Sequence, residues 1–182
     1  MPSVQLIMPS KPPKIIRLYR ILHYKNVEYA LTNGVFTRTS PSVDPDYINI
    51  VDSALIEQRN EYPVPVGPGG TLGDYIPFYF GPHSPMLLNI KTGYRGVAQR
   101  PQRDIVYFCC DMKNLMRHCA EWVFTDGHAK NHLTDFFNSE TDLNKVDWQM
   151  VYEKYWRNDE NDFDRMRRKQ AEFLVKDHVP AE

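Results

Sequence analysis

Arg167-Arg168-Lys169-Gln170-Ala171-Glu172-Phe173-Leu174-Val175-Lys176 puts one carboxylate inside an apolar run that begins directly after a basic cluster. Side chains alternate between the two faces of a strand, so Ala171, Phe173 and Val175 would share one face and Gln170, Glu172 and Leu174 the other. Glu172 then lies centrally, held by backbone on both sides. Two explanations of such a carboxylate stand side by side. Charged residues are mostly exposed, which fits a half-exposed edge strand whose Glu172 is solvated or paired with Arg168. The alternative is a catalytic carboxylate aimed into a cleft, which the remainder of the chain would have to supply.

Upstream, residues 157–168 are almost entirely charged, and Asp142 to Trp156 reads as a helix with Val146, Trp148, Val151 and Tyr155 on its inner side. Asp126-Gly127-His128 turns sharply after a strand at Trp122–Thr125. Asp111 caps a helix to about Ala120, and the continuous apolar run from Asp104 to Cys110 predicts the most buried strand. Ser84-Pro85 opens a helix to about Lys91 in cap-then-proline order. Tyr75 to Phe80 is a strand in which Pro77 points to an edge or a bulge. Residues 62–74 hold three prolines and four glycines, an irregular loop of the kind that often carries function. Asp44-Pro45 predicts the start of a helix with Ile48, Val51, Leu55 and Arg59 on one side. That arginine either snorkels at the helix end or points into a polar cleft. Asn26 to Asn33 is a short helix closed by Gly34, between extended pieces at Ile15–Leu22 and Val35–Phe36. Residues 1–14 hold four prolines and form an extended lead-in. The alternation predicts a single α+β domain over 15–182, a split or mixed sheet with surrounding helices.

Composition narrows the function. The 182 residues suffice for one domain with a substantial core. No apolar run approaches the roughly 18–20 residues that cross a bilayer. The opening MPSVQLIMPSKPP lacks the apolar segment and cleavage site of a signal peptide, so a cytoplasmic protein off the membrane is expected. A net charge of -1 excludes indiscriminate attraction to polyanions, because such binding scales with the phosphates neutralised. Cys109, Cys110 and Cys119, odd in number and without CxxC spacing, indicate neither a disulfide framework nor a zinc ribbon and are expected as core thiols. Eleven tyrosines exceed what a minimal core needs, and aromatic rings are surfaces on which bases and nicotinamide stack.

Several motifs fail on context. His128 and His132 are spaced like a helical metal pair but lack HExxH and a third ligand at standard spacing, so no metal is expected. The glycines at 67, 69, 70 and 73 sit in neither a P-loop nor a Rossmann setting, and no nucleophile elbow is present.

Three separated pieces remain: Tyr19-Arg20 on the first strand, the Arg59 helix with the Tyr75–Met86 segment, and Glu172 on the last strand. Together with the strings Tyr75-Ile76-Pro77-Phe78-Tyr79-Phe80, Ser84-Pro85-Met86, Phe124-Thr125-Asp126-Gly127-His128-Ala129, Asp147-Trp148 and Arg168-Lys169-Gln170-Ala171-Glu172-Phe173-Leu174-Val175, in order from about Leu18 to Pro180, they resemble the DarT family. Its members are toxins that transfer ADP-ribose from NAD onto bases of single-stranded DNA. The resemblance implies an ADP-ribosyltransferase-like split sheet, NAD as co-substrate, single-stranded DNA as acceptor, and a macrodomain antitoxin that reverses the modification. A monomer is expected.

Residue by residue, the resemblance makes Glu172 the catalytic glutamate and Arg59 the arginine that helps hold NAD and acts on the acceptor base. Arg20, Ile21 and Leu22, with Tyr29 and Thr37, match positions around nicotinamide and its ribose. Tyr75, Tyr79 and Ser84 join the cofactor site. His128 with Arg165, Arg167, Arg168 and Lys169 corresponds to the region guiding DNA. Many members read Tyr-His-Ile-Thr where this chain has Tyr19-Arg20-Ile21-Leu22, which leaves thymine and guanine both open as the modified base. Two alternatives stand beside this function: transfer to RNA or protein, and an inactive module that binds single strands.

Overall fold

In the computed structural model, which describes residues 11–51 and 53–181, the expected lead-in at 1–14 falls mostly outside the described part. The elements in chain order are β1 (Arg17–His23), α1 (Val27–Asn33), β2 (Val35–Phe36), α2 (Ser53–Asn60), β3 (Tyr75–Tyr79), α3 (Pro85–Thr92), β4 (Ile105–Asp111), α4 (Met112–His118), β5 (Trp122–Thr125), β6 (Phe136–Phe137), α5 (Trp148–Tyr152), α6 (Arg165–Lys169), β7 (Glu172–Lys176) and β8 (His178–Val179). Six strands form one sheet in the order β4-β1-β3-β7-β5-β6, and β2 pairs with β8. The α+β class is as expected. Each described pairing is antiparallel.

The alternation expected in β7 sorts the core. Ala171, Phe173 and Val175 join Leu18, Leu22, Ile76, Phe78, Phe80 and Phe124 on one face, under Met112 and Leu115 of α4 and Trp148 and Val151 of α5. Each such large apolar side chain contributes about 1.5–3 kcal/mol by burial. The opposite face is covered by two separate clusters. One gathers Val64, Leu72, Tyr75, Val123 and Leu174, and the other Ile21, Ile50, Ile90 and Val97 with Tyr79 and Met86 packed against it. The gap between those clusters is a cleft, and Glu172 stands at its floor.

The split in the sheet opens the same region. β1 and β3 share a single registered pair, Tyr19 with Tyr79. Beyond it they part, and Arg20 Nη1 crosses the opening to Pro77 O at 2.9 Å. Pro77 was expected at an edge or bulge but lies on a central strand. In a strand the nitrogen and carbonyl of one residue face the same side, so Pro77's nitrogen faces the split, where no ladder donor is required.

Other expectations are corrected. Asp44 starts no helix: its Oδ1 accepts from Asp46 N at 2.9 Å and its carbonyl from Tyr47 N at 3.2 Å, an Asx turn built on the chemistry that would cap one. The helix carrying Arg59 begins at Ser53. The run Ile105–Asp111 is an edge strand rather than the most buried one. Its apolar continuity reflects two partly covered faces, Ile105 and Tyr107 against one cluster, Val106, Phe108 and Cys110 against the other, and Cys109 is exposed. The helix expected to Trp156 stops at Tyr152, because Lys169 Nζ takes the carbonyls of Val151 and Glu153, both at 2.6 Å, leaving Tyr155 81% exposed. The basic cluster before the Glu172 strand, Arg167, Arg168 and Lys169, forms the end of helix α6.

Candidate active site

β7 delivers Glu172 and β5 fixes it. Thr125 Oγ accepts Glu172 N–H at 3.0 Å and donates to Gly127 O at 2.7 Å, tying the strand to the turn that follows β5. The Glu172 side chain, 3% exposed, accepts Ala129 N–H on Oε1 at 2.9 Å and meets Arg59 Nη1 with Oε2 at 3.1 Å. The edge-strand explanation therefore fails: the carboxylate is buried, held by two donors and does not touch Arg168.

Arg59 comes from the last turn of α2. That helix rests on the 3-10 turn Leu72–Asp74, where a Cβ on Gly73 would lie 2.4 Å from Asn60 Oδ1 and 2.9 Å from Asn60 Cα. Only glycine permits this approach. Of the two open readings of Arg59, the cleft is what the structure contains.

The cleft encloses about 570 Å³, within the range of small-molecule sites. It brings together Arg20, Ile21, Thr37, Arg59, Tyr75, Tyr79, His128 and Glu172. Tyr79 is the cross-strand neighbour of Glu172. Burial first, and then the Glu172 charge, push its phenol up to about 12. Burial, reinforced by Asp74, pushes Tyr75 to about 12 as well, and its hydroxyl donates to Gly69 O at 2.7 Å, which fixes the ring. Among the described residues, Arg20 Nε and Arg59 Nη2 are buried without an acceptor. An unpaired buried guanidinium N–H is costly, and two of them lining one cleft suit a ligand with phosphate or ribose oxygens.

Three expected cofactor residues do not themselves line the cleft. Leu22 is in the main core. Tyr29 OH donates to Ser42 O at 2.9 Å and lines a smaller pocket that shares Phe36, Val43 and Tyr47 with the cleft. Ser84 is buried as the N-cap of α3, its hydroxyl accepting from Met86 N at 3.1 Å and hydrogen-bonding the Tyr79 phenol, so it stands directly behind a residue that lines the cleft.

The basic run is engaged internally. Arg165 pairs with Asp159, Arg167 with Asp126 and Asp164, and Arg168 with Asp147, Asp162 and Asp164. Lys169 is 3% exposed, and burial lowers its ammonium to about 8. None of the four lines the cleft. Sequence reasoning missed Arg38, Lys130, Asn131 and Gln170, which do line it. It also missed Thr125 and the Ala129 N–H as supports of Glu172. Among the described residues no three His, Cys, Asp or Glu side chains group to hold a metal ion, and no helix is long and apolar enough to cross a membrane.

Residues 19–182 match the family described as ssDNA thymidine ADP-ribosyltransferase, DarT. The chain is 39% identical over 168 residues to a DNA ADP-ribosyl transferase of Escherichia coli O127:H6, covering 92% of this chain and 77% of that protein. The structure of Thermus sp. 2.9 DarT with ADP-ribosylated ssDNA superposes with a TM-score of 0.82 at 31% identity, covering 94% of this chain and 79% of the other. The same protein with NAD+ gives 0.78 at 30% identity, covering 93% and 79%. The chain belongs to the DarT family of single-stranded DNA ADP-ribosyltransferases, enzymes that take their ADP-ribose from NAD.

Proposed function

We propose that NAD lies in this cleft with its nicotinamide ribose against Glu172, and that the acceptor base enters beside Arg59. Breaking the bond between nicotinamide and C1′ leaves positive charge on the ribose, as in glycoside cleavage. The Glu172 carboxylate, fixed by Ala129 N–H and Arg59, stabilises that charge and accepts from a ribose hydroxyl without having to reorganise. Neutral nicotinamide departs, a base nitrogen bonds to C1′, and the proton it loses passes to solvent water. Arg20 and Arg59 offer their unpaired N–H groups to the pyrophosphate and ribose oxygens. Arg59 also orients the base as a fixed cation, since guanidinium does not deprotonate. The Tyr79 ring, protonated throughout the neutral range, is a surface for nicotinamide, with Ile21 and Thr37 beside it. An unpaired strand suits the cleft because no base has to be unstacked first.

Thymine is the proposed acceptor, supported by the family description, with guanine as the competing base. Lys130 and Arg38 at the cleft are the proposed phosphate contacts, with His128 lining the same cleft. The protein acts as a cytoplasmic monomeric toxin whose partner is a macrodomain antitoxin, a reading that rests on family membership.

The observation that carries the assignment is a buried carboxylate clamped by Ala129 and Arg59 next to two unpaired guanidinium donors. Glu172→Gln should lower labelling of a single-stranded oligonucleotide by labelled NAD by about 10²-fold or more, with the thermal transition kept. Label transferred at the wild-type rate would remove the assignment. Nuclease digestion and mass spectrometry of the product identify the base, and RNA and protein offered in parallel decide the acceptor class.

A further inference from the structure

Ala129 N–H reaches Glu172 from the segment 126–135, which also carries His128, Lys130 and Asn131 into the cleft. That segment has no regular structure before β6, yet its backbone must hold one donor in hydrogen-bond range of a catalytic oxygen. Its fixings converge on Arg167. Nη1 contacts Asp126 Oδ1 at 2.9 Å and Thr134 Oγ at 3.3 Å, the two ends of the segment. Asp126 Oδ1 also accepts from Asp135 N at 2.9 Å, and Thr134 Oγ donates to His128 O at 2.9 Å. Arg167 O accepts His128 N–H at 3.0 Å, one residue before the Ala129 donor. On the far side, Nε and Nη2 grip both Asp164 oxygens at 2.8 Å. A Cβ on Gly127 would lie 2.4 Å from Arg167 Nη1, so the guanidinium lies directly against the turn.

We infer that Arg167 is a positioning residue, a clasp that joins α6 to both ends of the 126–135 segment and thereby sets the Glu172 carboxylate for the ribose. This rests on the reading of Glu172 given above. An exposed ion pair would do little of the kind, but the Arg167 side chain is 10% exposed. Its planar fork holds Asp164 with two nitrogens while the third edge spans Asp126 and Thr134, a geometry one lysine ammonium cannot reproduce. The carboxylate must be in place as charge develops on the ribose, whereas NAD binding depends on Arg20 and Arg59, which the clasp does not touch. Displacing the segment should therefore reduce turnover more than NAD affinity.

Arg167→Lys and Asp126→Asn, singly and combined, test this by transfer to a single-stranded oligonucleotide at saturating DNA, with KM and Kd for NAD and the thermal transition measured alongside. The expected result is a fall in kcat on the order of 10²-fold in each single variant, KM and Kd for NAD within about threefold, and a double variant no worse than the poorer single, as for residues acting as one unit. Should Arg167→Lys fail to fold, Asp126→Asn carries the test. Wild-type kcat in folded variants, or a loss of activity no larger than the loss of folded protein, overturns the clasp. Glu172→Gln assayed in parallel separates the two levels. If it is inactive while both clasp variants turn over normally, the clasp alone is wrong; if it retains full activity, the catalytic assignment beneath it is wrong.

Discussion

The Arg59–Glu172 pair, with side chains 14% and 3% exposed, joins two charges taken largely out of water. Removing one partner from a buried pair leaves the other uncompensated, at a cost of about 3–5 kcal/mol when burial is complete. Ala129 N–H still serves Glu172, so Arg59→Ala should destabilise by about 2 kcal/mol, read from urea denaturation. Arg59→Met combined with Glu172→Gln should recover most of that loss while remaining inactive. Lys169 gives a pH-dependent counterpart. Desolvation lowers its folded value to about 8 from the ordinary 10.5, so the folded protein disfavours the ammonium. That penalty is fully present below pH 8 and is relieved as the pH rises toward 10.5. The stability of wild type relative to Lys169→Met should shift in favour of wild type between pH 7 and about 9.5, and a flat difference would contradict the burial of a charged amine. Glu172 was legible because strand alternation and an interrupted apolar run are written in side chains. The Ala129 donor was not, since a backbone N–H has no residue type. The ion pairs of the basic run were hidden for a related reason: charge is visible in the sequence, but its partners Asp126, Asp147, Asp159, Asp162 and Asp164 become neighbours only through folding.

Elements were legible where local chemistry and tertiary packing agree. Ser84-Pro85 caps α3 because its signal is satisfied within a few residues, the Ser84 hydroxyl accepting from Met86 N, and β5 keeps its expected limits because its apolar run matches the β7 and β6 strands it pairs with. Pro77 and the Ile105–Asp111 run were misplaced because both depend on which strands lie alongside. The junction of β3 with α5 makes a testable case of such tertiary control. A Cβ on Gly81 would lie 1.8 Å from Val151 O, the carbonyl that also accepts from Lys169 Nζ at 2.6 Å. Backbone cannot yield as a flexible side chain would, so Gly81→Ala has to push α5 outward and loosen its hold on α6. Overpacking of this kind costs about 1–3 kcal/mol. The expected outcome is a lower Tm by calorimetry, with greater protease sensitivity around Tyr152–Trp156; an unchanged Tm would show that α5 is not held by this contact.

At the scale of the whole molecule, a net charge of -1 has to be reconciled with a polyanionic acceptor. The sheet resolves the conflict by segregating charge. Arg165, Arg167, Arg168 and Lys169 stabilise α6 and its surroundings from within, while Arg38 and Lys130 remain at the cleft. Attraction to DNA is then local and small in electrostatic terms, and most of the affinity has to come from the base and the cofactor in the pocket. Binding of single strands weakens with salt by about 0.7 log units per log unit for each phosphate neutralised. The exposed Arg38 and the half-buried Lys130 predict a slope between about −1 and −2, measured by fluorescence anisotropy of a labelled oligonucleotide with the Glu172→Gln protein. If the α6 cations also held the backbone, four further charges would steepen the slope to about −4. Lys130→Ala and Arg38→Ala should each flatten it, whereas Arg165→Ala should leave it unchanged; a reversed pattern would move the path of the DNA from the cleft mouth to the α6 surface.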